Sequence, residues 1–225
     1  MMENLPVHIH LTFIVITFAT FGMIFYFLKI KRGAFNWKIG TIITFWLCLQ
    51  TFLSLIGFYD KLDLFPPRFL FVIMPALIFS TLRVIKGKGL PAATYIGYIH
   101  LIRIPVEMVL YWLAQEKVIP DVMTFRGRNF DILAGVILPL ATYLYFERGM
   151  ISKKILIGVN FYGVFSLINI IGHGILSVPT PLQQFGFDQP NIVTFQFPFI
   201  WLPAFVVPAI FFAHLVTLKE LFKKK

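Results

Sequence analysis

Four side chains that could do chemistry interrupt an apolar stretch in the middle of the chain. They recur every three or four residues and so share one face of a helix: His100, Arg103, Glu107 and Tyr111. Ionisable groups inside apolar helices are costly, and they often mark binding sites or proton pathways. Arg103 can bind an anionic group, and Glu107 can hold a proton or pair with Arg103 one turn away. A purely structural ion pair is the alternative interpretation.

A second polar stripe follows about sixty residues later. Its members also recur at helical spacing, at Ser166, Asn169, His173 and Ser177. Such side chains can line a pocket, or they can hydrogen-bond between neighbouring helices inside a membrane. Both interpretations predict that the stripe faces other protein segments rather than lipid.

Two further polar residues stand at the edges of apolar segments. Asp131 begins one segment, where a carboxylate is favourable to the helix dipole; alternatively, it pairs with Arg126, Arg128 or His173 at the mouth of a cavity. Gln50 is a weaker candidate within the second apolar segment.

For the histidine near the end of the last apolar segment, the sequence predicts a structural role rather than a ligand-binding one. His214 lies about one turn inside the basic end of that segment, which predicts a role at the membrane edge. We therefore expect His100 and His214 at different depths, which disfavours a haem held between them. With a single cysteine, Cys48, and no HExxH spacing, the sequence predicts no metal site and no cofactor.

The elements that carry these residues are apolar helices. The chain of 225 residues is 58% hydrophobic and only 13% charged, whereas soluble domains carry about 25% charge. This composition excludes a soluble globular enzyme and a disordered chain. Stretches long enough to cross a bilayer predict a single all-α domain over residues 1–225 with seven transmembrane helices, at about 9–28, 38–58, 68–85, 92–114, 130–146, 153–176 and 196–218.

The basic residues predict how this bundle is oriented. Of the 20 lysines and arginines, fourteen lie in one set of alternate loops, five lie in the other set, and Arg103 lies within a segment. The positive-inside rule places the richer set in the cytoplasm, so the N-terminus is expected outside and the C-terminus inside. The net charge of +10 is thus explained by topology, and we expect the lipid bilayer rather than nucleic acid as the partner.

Several motifs resemble those of a family of uncharacterised bacterial polytopic membrane proteins. The resemblance covers roughly residues 60–220 and rests on Ile102–Glu107, Met123–Ile132, Pro179–Phe185, Asp188–Asn191 and Phe197–Pro203. The part around Phe125–Ile132 is the most specific. The resemblance implies a location in a bacterial inner membrane, and it carries no known activity from which a catalytic residue could be transferred.

These observations predict a multi-pass membrane protein with an outward-facing polar pocket that binds or transports a small ligand, for which Arg103 makes an anion one option. The predicted pocket residues are Arg103, Glu107, Asp131, Asn169 and His173, with His100, Tyr111, Gln50 and Ser166 around them and the loop 177–195 as a cover. An intramembrane enzyme that uses His173, Asp131 and Glu107 for acid–base or metal-assisted chemistry is one alternative. A structural or assembly partner is the other, and the oligomeric state stays open.

Overall fold

The regular secondary structure of the described residues is helical. A computed structural model of the chain describes residues 5–32, 37–61, 68–87 and 89–223. Its main helices are α1 (Val7–Arg32), α2 (Trp37–Leu55), α3 (Leu70–Lys86), α4 (Ala93–Gln115), α5 (Asp131–Phe146), α6 (Lys153–Leu176) and α7 (Leu202–Phe222). Each of the predicted segments lies on one of these helices, which confirms the all-α prediction.

Five of the helices are long and apolar enough to cross a membrane. These are α1, α2, α4, α6 and α7, and they indicate a membrane-embedded protein. The other two are shorter, with 17 residues in α3 and 16 in α5.

The centre of the bundle is formed by α1, α4 and α7. Their apolar side chains make the largest buried cluster, which includes Phe13, Ile99, Leu110 and Val206. By contrast, only 6% of α2 is buried, so this helix stands at the periphery. The residues of α4 and α7 therefore have the least access to lipid.

The middle of α4 departs from α-helical geometry just before Arg103. Residues Gly97–Ile102 form a 3₁₀ stretch, and the regular α-helix resumes at Arg103. Pro105 has no backbone N–H, so it cannot bond the carbonyl of Leu101 in the preceding turn. Gly97 lies against the side chain of Thr142 on α5 with no space for a Cβ atom, which brings α4 and α5 close together.

The last helix begins later than its apolar sequence predicts. Residues 196–200 form a bend and turns, α7 opens with a π-helical turn at Leu202–Val206, and the helix continues to Phe222. Proline at 208 lacks the N–H that would bond the carbonyl of Ala204. The indole Nε1 of Trp46 donates to that carbonyl instead, at 3.0 Å, and so attaches α2 to α7.

The two long connections predicted outside the helices pack into the bundle. The connection after α4 contains a short 3₁₀ helix, Asp121–Met123, and buries Ile119 and Asn129. Gln189, from the predicted cover 177–195, donates its side-chain amide to the carbonyls of Ala114 and Ile119. Irregular backbone near membrane depth requires such partners, because lipid offers none.

Candidate functional site

Arg103 is the centre of a buried polar cluster formed by α4, α5, α6 and α7. The residue is only 1% exposed. Its Nη1 donates to Oδ1 of Asp131 at 2.8 Å, and its Nη2 donates to the carbonyl of Gly163 at 3.1 Å and lies 2.7 Å from Nε2 of His214. One guanidinium therefore connects all four helices.

The contact with Arg103 determines the tautomer of His214. A guanidinium can only donate hydrogen bonds, so Nε2 of His214 accepts and the ring proton lies on Nδ1. That Nδ1 lies 3.2 Å from Oδ1 of Asn160, and the amide of Asn160 in turn donates to the carbonyl of Leu156 at 2.9 Å. His214 is thus a neutral ring held between an arginine and an asparagine.

Asp131 accepts hydrogen bonds from two different helices. Besides Arg103, the hydroxyl of Ser166 on α6 donates to the same carboxylate oxygen at 2.5 Å. Asp131 is also the first residue of α5, as its sequence position predicts. Its partners, however, are not Arg126, Arg128 or His173 but Arg103 and Ser166, which corrects the pairing expected at a cavity mouth.

Glu107 is bound by the connection after α4 rather than by Arg103. Oε1 of Glu107 accepts from the side-chain amide of Asn129 at 2.5 Å, and Oδ1 of Asn129 accepts from the backbone N–H of Asp131 at 3.0 Å. The ion pair that Arg103 forms is with Asp131, so the predicted pair within α4 is wrong. The guanidinium extends towards α5 and α7, whereas Glu107 faces Asn129.

The ring of His100 contacts the ring of His214, which contradicts the expectation that the two lie at different depths. Their ring centroids are 4.2 Å apart. The physical reason is the shifted helix: α7 runs from Leu202 to Phe222, so His214 lies near its middle and not near its end.

Several polar atoms of this cluster have no hydrogen-bond partner among the described residues. They are both ring nitrogens of His100, Nε of Arg103 and Oε2 of Glu107. Buried polar groups in native proteins are usually paired, so each unpaired group calls for an explanation. Their concentration around one arginine identifies this place as the candidate site.

Two of the predicted pocket residues lie outside the cluster, nearer the end of α6. The amide of Asn169 donates to the carbonyl of Arg128 at 2.7 Å. Nδ1 of His173 donates to the carbonyl of Asn169 at 2.9 Å, and its ring packs on Phe185 at 5.0 Å between centroids. Both side chains are half-buried and attach α6 to the two long connections.

Tyr111 and Gln50 are also separate from the cluster. The ring of Tyr111 stacks on Phe125, with centroids 5.2 Å apart. Gln50 is buried and its Oε1 accepts from the hydroxyl of Tyr59 at 2.5 Å. Burial raises the pKa of the Tyr59 hydroxyl, which keeps it protonated as a donor to Gln50.

Three cavities between the helices have mainly apolar linings. Their volumes are about 290, 80 and 580 Å³, and Arg103, Glu107 and Asp131 line none of the three. In the part of the chain that the structure describes, no group of three His, Cys, Asp or Glu side chains is placed to hold a metal ion. His173, one member of the proposed enzymatic trio, does not meet Asp131 or Glu107.

Three members of the cluster were not among the predicted site residues: Asn129, Asn160 and His214. For Asn160 the sequence does contain a signal, because Asn160, Gly163 and Ser166 recur every three residues on α6. The contact of His214 with Gly163, where a Cβ atom would collide with the ring, depends on tertiary packing. Asn129 gives no such signal, because it lies in irregular backbone whose path the sequence pattern does not define.

Comparison with known proteins adds no relative. No family model, curated protein or solved structure matches this chain.

Proposed function

We propose that this chain is a proton-translocating multi-pass protein of a bacterial inner membrane, with Arg103 at the centre of its proton pathway. In this proposal all seven helices cross the bilayer, with the N-terminus outside and the C-terminus in the cytoplasm. The alternation of basic and less basic loops supports the orientation. The sequence motifs around Phe125–Ile132 support the bacterial family.

The convergence of ionisable side chains carries this proposal. Asp131 and His214 contact Arg103, His100 contacts His214, and Glu107 lies one turn from Arg103 on α4. Each of these four can gain or lose a proton. They come from three helices and are separated in sequence by up to 114 positions between His100 and His214. Chains of Asp, Glu and His inside membrane helices are typical of proton relays in pumps and transporters.

The hydrogen-bond pattern favours a proton over a larger anion as the small ligand. A free arginine in a pocket would suit an anionic group, but Arg103 already donates to Asp131, to Gly163 and to His214. Only Nε of the guanidinium is without a partner among the described residues, and none of the three cavities reaches Arg103 to give an anion space beside it. A proton needs no such space and can use the unpaired atoms of His100 and Glu107.

Polar groups extend from the cluster in both directions along the bundle. Towards one side, Glu107 connects through Asn129 to the carbonyl of Met123 in the connection after α4. Towards the other side, His214 is followed three residues later on α7 by Thr217, whose buried hydroxyl has no partner among the described residues. In this proposal these groups are the next polar sites on either side of the cluster.

Proton flux into vesicles tests this proposal. The purified protein is reconstituted into liposomes that hold a pH-sensitive dye, and a potassium diffusion potential is imposed with valinomycin. We expect faster internal acidification than in protein-free liposomes and loss of that excess rate in Asp131→Asn. Asp121→Asn is the matched control, because Asp121 is exposed and outside the cluster. Wild-type vesicles no faster than empty ones would contradict the proposal.

A further inference from the structure

The cavity of about 290 Å³ lies between α1, α2, α3 and α7, away from the Arg103 cluster. Its lining is apolar along most of its length, with Leu28, Ile43, Trp46 and Phe79 among the contributors. Its volume is close to the lower end of the range for small-molecule sites. The cavity exists because α2 is peripheral and is held to α7 through Trp46 and Ala204.

One end of this cavity carries a basic side chain, and further lysines lie close to it in the sequence. Arg83, in the last turn of α3, is itself one of the lining residues. The exposed lysines Lys29 and Lys38 adjoin the lining residues Leu28 and Ile39 in sequence, and Lys86 follows Arg83 by one turn. The opposite end reaches Trp46 and Pro75 and carries no charge among its lining residues.

The dimensions of the cavity match one leaflet of a bilayer. Arg83 lies eight helical steps from Pro75 on α3, which corresponds to about 12 Å at the helical rise. Half of a hydrocarbon core measures about 15 Å. A lipid acyl chain that entered at the basic end would therefore stay within the leaflet on the side where α3 ends.

We propose that this groove is a binding site for an anionic phospholipid. One acyl chain lies along the apolar lining, and the lipid phosphate pairs with the Arg83 guanidinium at the mouth. The charge complementarity between the basic rim and an anionic headgroup supports this occupant, since each basic residue near a membrane surface strengthens the attraction to anionic lipid. The neutral lining beyond Arg83 excludes a soluble anion from the rest of the groove.

Native mass spectrometry of the detergent-solubilised protein measures this binding directly. The protein is titrated with phosphatidylglycerol or with phosphatidylcholine of the same acyl chains. We expect phosphatidylglycerol to bind at least about fivefold more tightly, which converts to ~1 kcal/mol for one basic residue. Arg83→Gln should remove this preference, and Arg126→Gln, in the connection after α4, should keep it.

Two further experiments distinguish lipid binding in the groove from simple attraction of anions to surface cations. Ala76 lines the groove and is half-buried, so Ala76→Trp should fill the space and lower the binding of both lipids. Added inorganic phosphate should leave the bound lipid in place. Equal affinity of the wild type for the two lipids, a preference that survives Arg83→Gln, unchanged binding by Ala76→Trp or displacement by phosphate alone would each overturn the proposal.

Discussion

The Arg103 guanidinium and the Asp131 carboxylate lie 2.8 Å apart although 28 positions separate them in the sequence. The pair joins the middle of α4 to the first turn of α5, and both side chains are buried. Removing one partner of a buried pair leaves the other charge uncompensated in an environment that cannot solvate it. The pair is therefore both an element of the proposed pathway and a strong constraint on the bundle.

Neutralising Asp131 should destabilise the protein far more than neutralising an exposed carboxylate. We expect Asp131→Asn to lower the free energy of unfolding by about 3–5 kcal/mol, since the Arg103 charge stays buried without its partner. The matched control is Glu220→Gln, which removes the exposed pair with Lys223 and should cost less than ~1 kcal/mol. Thermal unfolding in detergent measures both, and equal losses would show that the Arg103–Asp131 pair is not buried.

The indole of Trp46 should contribute to stability, because it supplies the hydrogen-bond donor that Pro208 lacks. Trp46→Phe leaves the carbonyl of Ala204 without its partner, and we expect a loss of about 1–3 kcal/mol in detergent. In a Pro208→Ala background, residue 208 regains its N–H and can bond Ala204 itself. The same Trp46→Phe change should then cost clearly less, and a cost equal in both backgrounds would contradict this role of Trp46.

Accessibility to water along the polar stripe on α6 should be lost within one helical turn. In a Cys48→Ala background, Asn169→Cys should react with a small membrane-impermeant thiol reagent, because Asn169 is half-buried and its partner is a backbone carbonyl of a connecting segment. Ser166→Cys, one turn away, should stay unreactive because Ser166 is buried against Asp131. Equal reactivity at the two positions would indicate a water-filled cavity that reaches the cluster.

The proposed orientation predicts the behaviour of reporters fused to the C-terminus. The bias of basic residues towards one set of loops places that end in the cytoplasm. A fluorescent protein that folds in the cytoplasm should therefore be bright there, and an alkaline phosphatase fusion at the same position should be inactive. An active phosphatase with no fluorescence would reverse the orientation.

The sequence predicted the helical segments and the face that carries His100, Arg103 and Glu107, because apolar length and helical spacing are local properties. It did not predict the partner of Arg103. The long side chain can reach several helices, and spacing along α4 favoured Glu107 only because it lies one turn away. Tertiary packing decides which carboxylate pairs with the Arg103 guanidinium.

The misplacement of His214 has a similar cause. The segment 196–208 is apolar in spite of its prolines and therefore predicted a helix from residue 196. The chain instead forms turns as far as residue 200, and α7 begins at Leu202. This shift moves His214 towards the middle of its helix and into contact with His100. Asn129 was missed because irregular backbone has no periodicity from which a buried position could be inferred.

The proton flux of the Glu107→Gln variant, measured together with its thermal stability, distinguishes most directly between a proton pathway and a purely structural polar cluster. Glutamine can still accept from Asn129 through its carbonyl oxygen, and Glu107 forms no ion pair with Arg103, so we expect a far smaller stability loss than for Asp131→Asn. The variant cannot exchange a proton at this position, and its flux in liposomes should fall to the protein-free rate. Wild-type flux in a stable Glu107→Gln protein would contradict a pathway through the cluster.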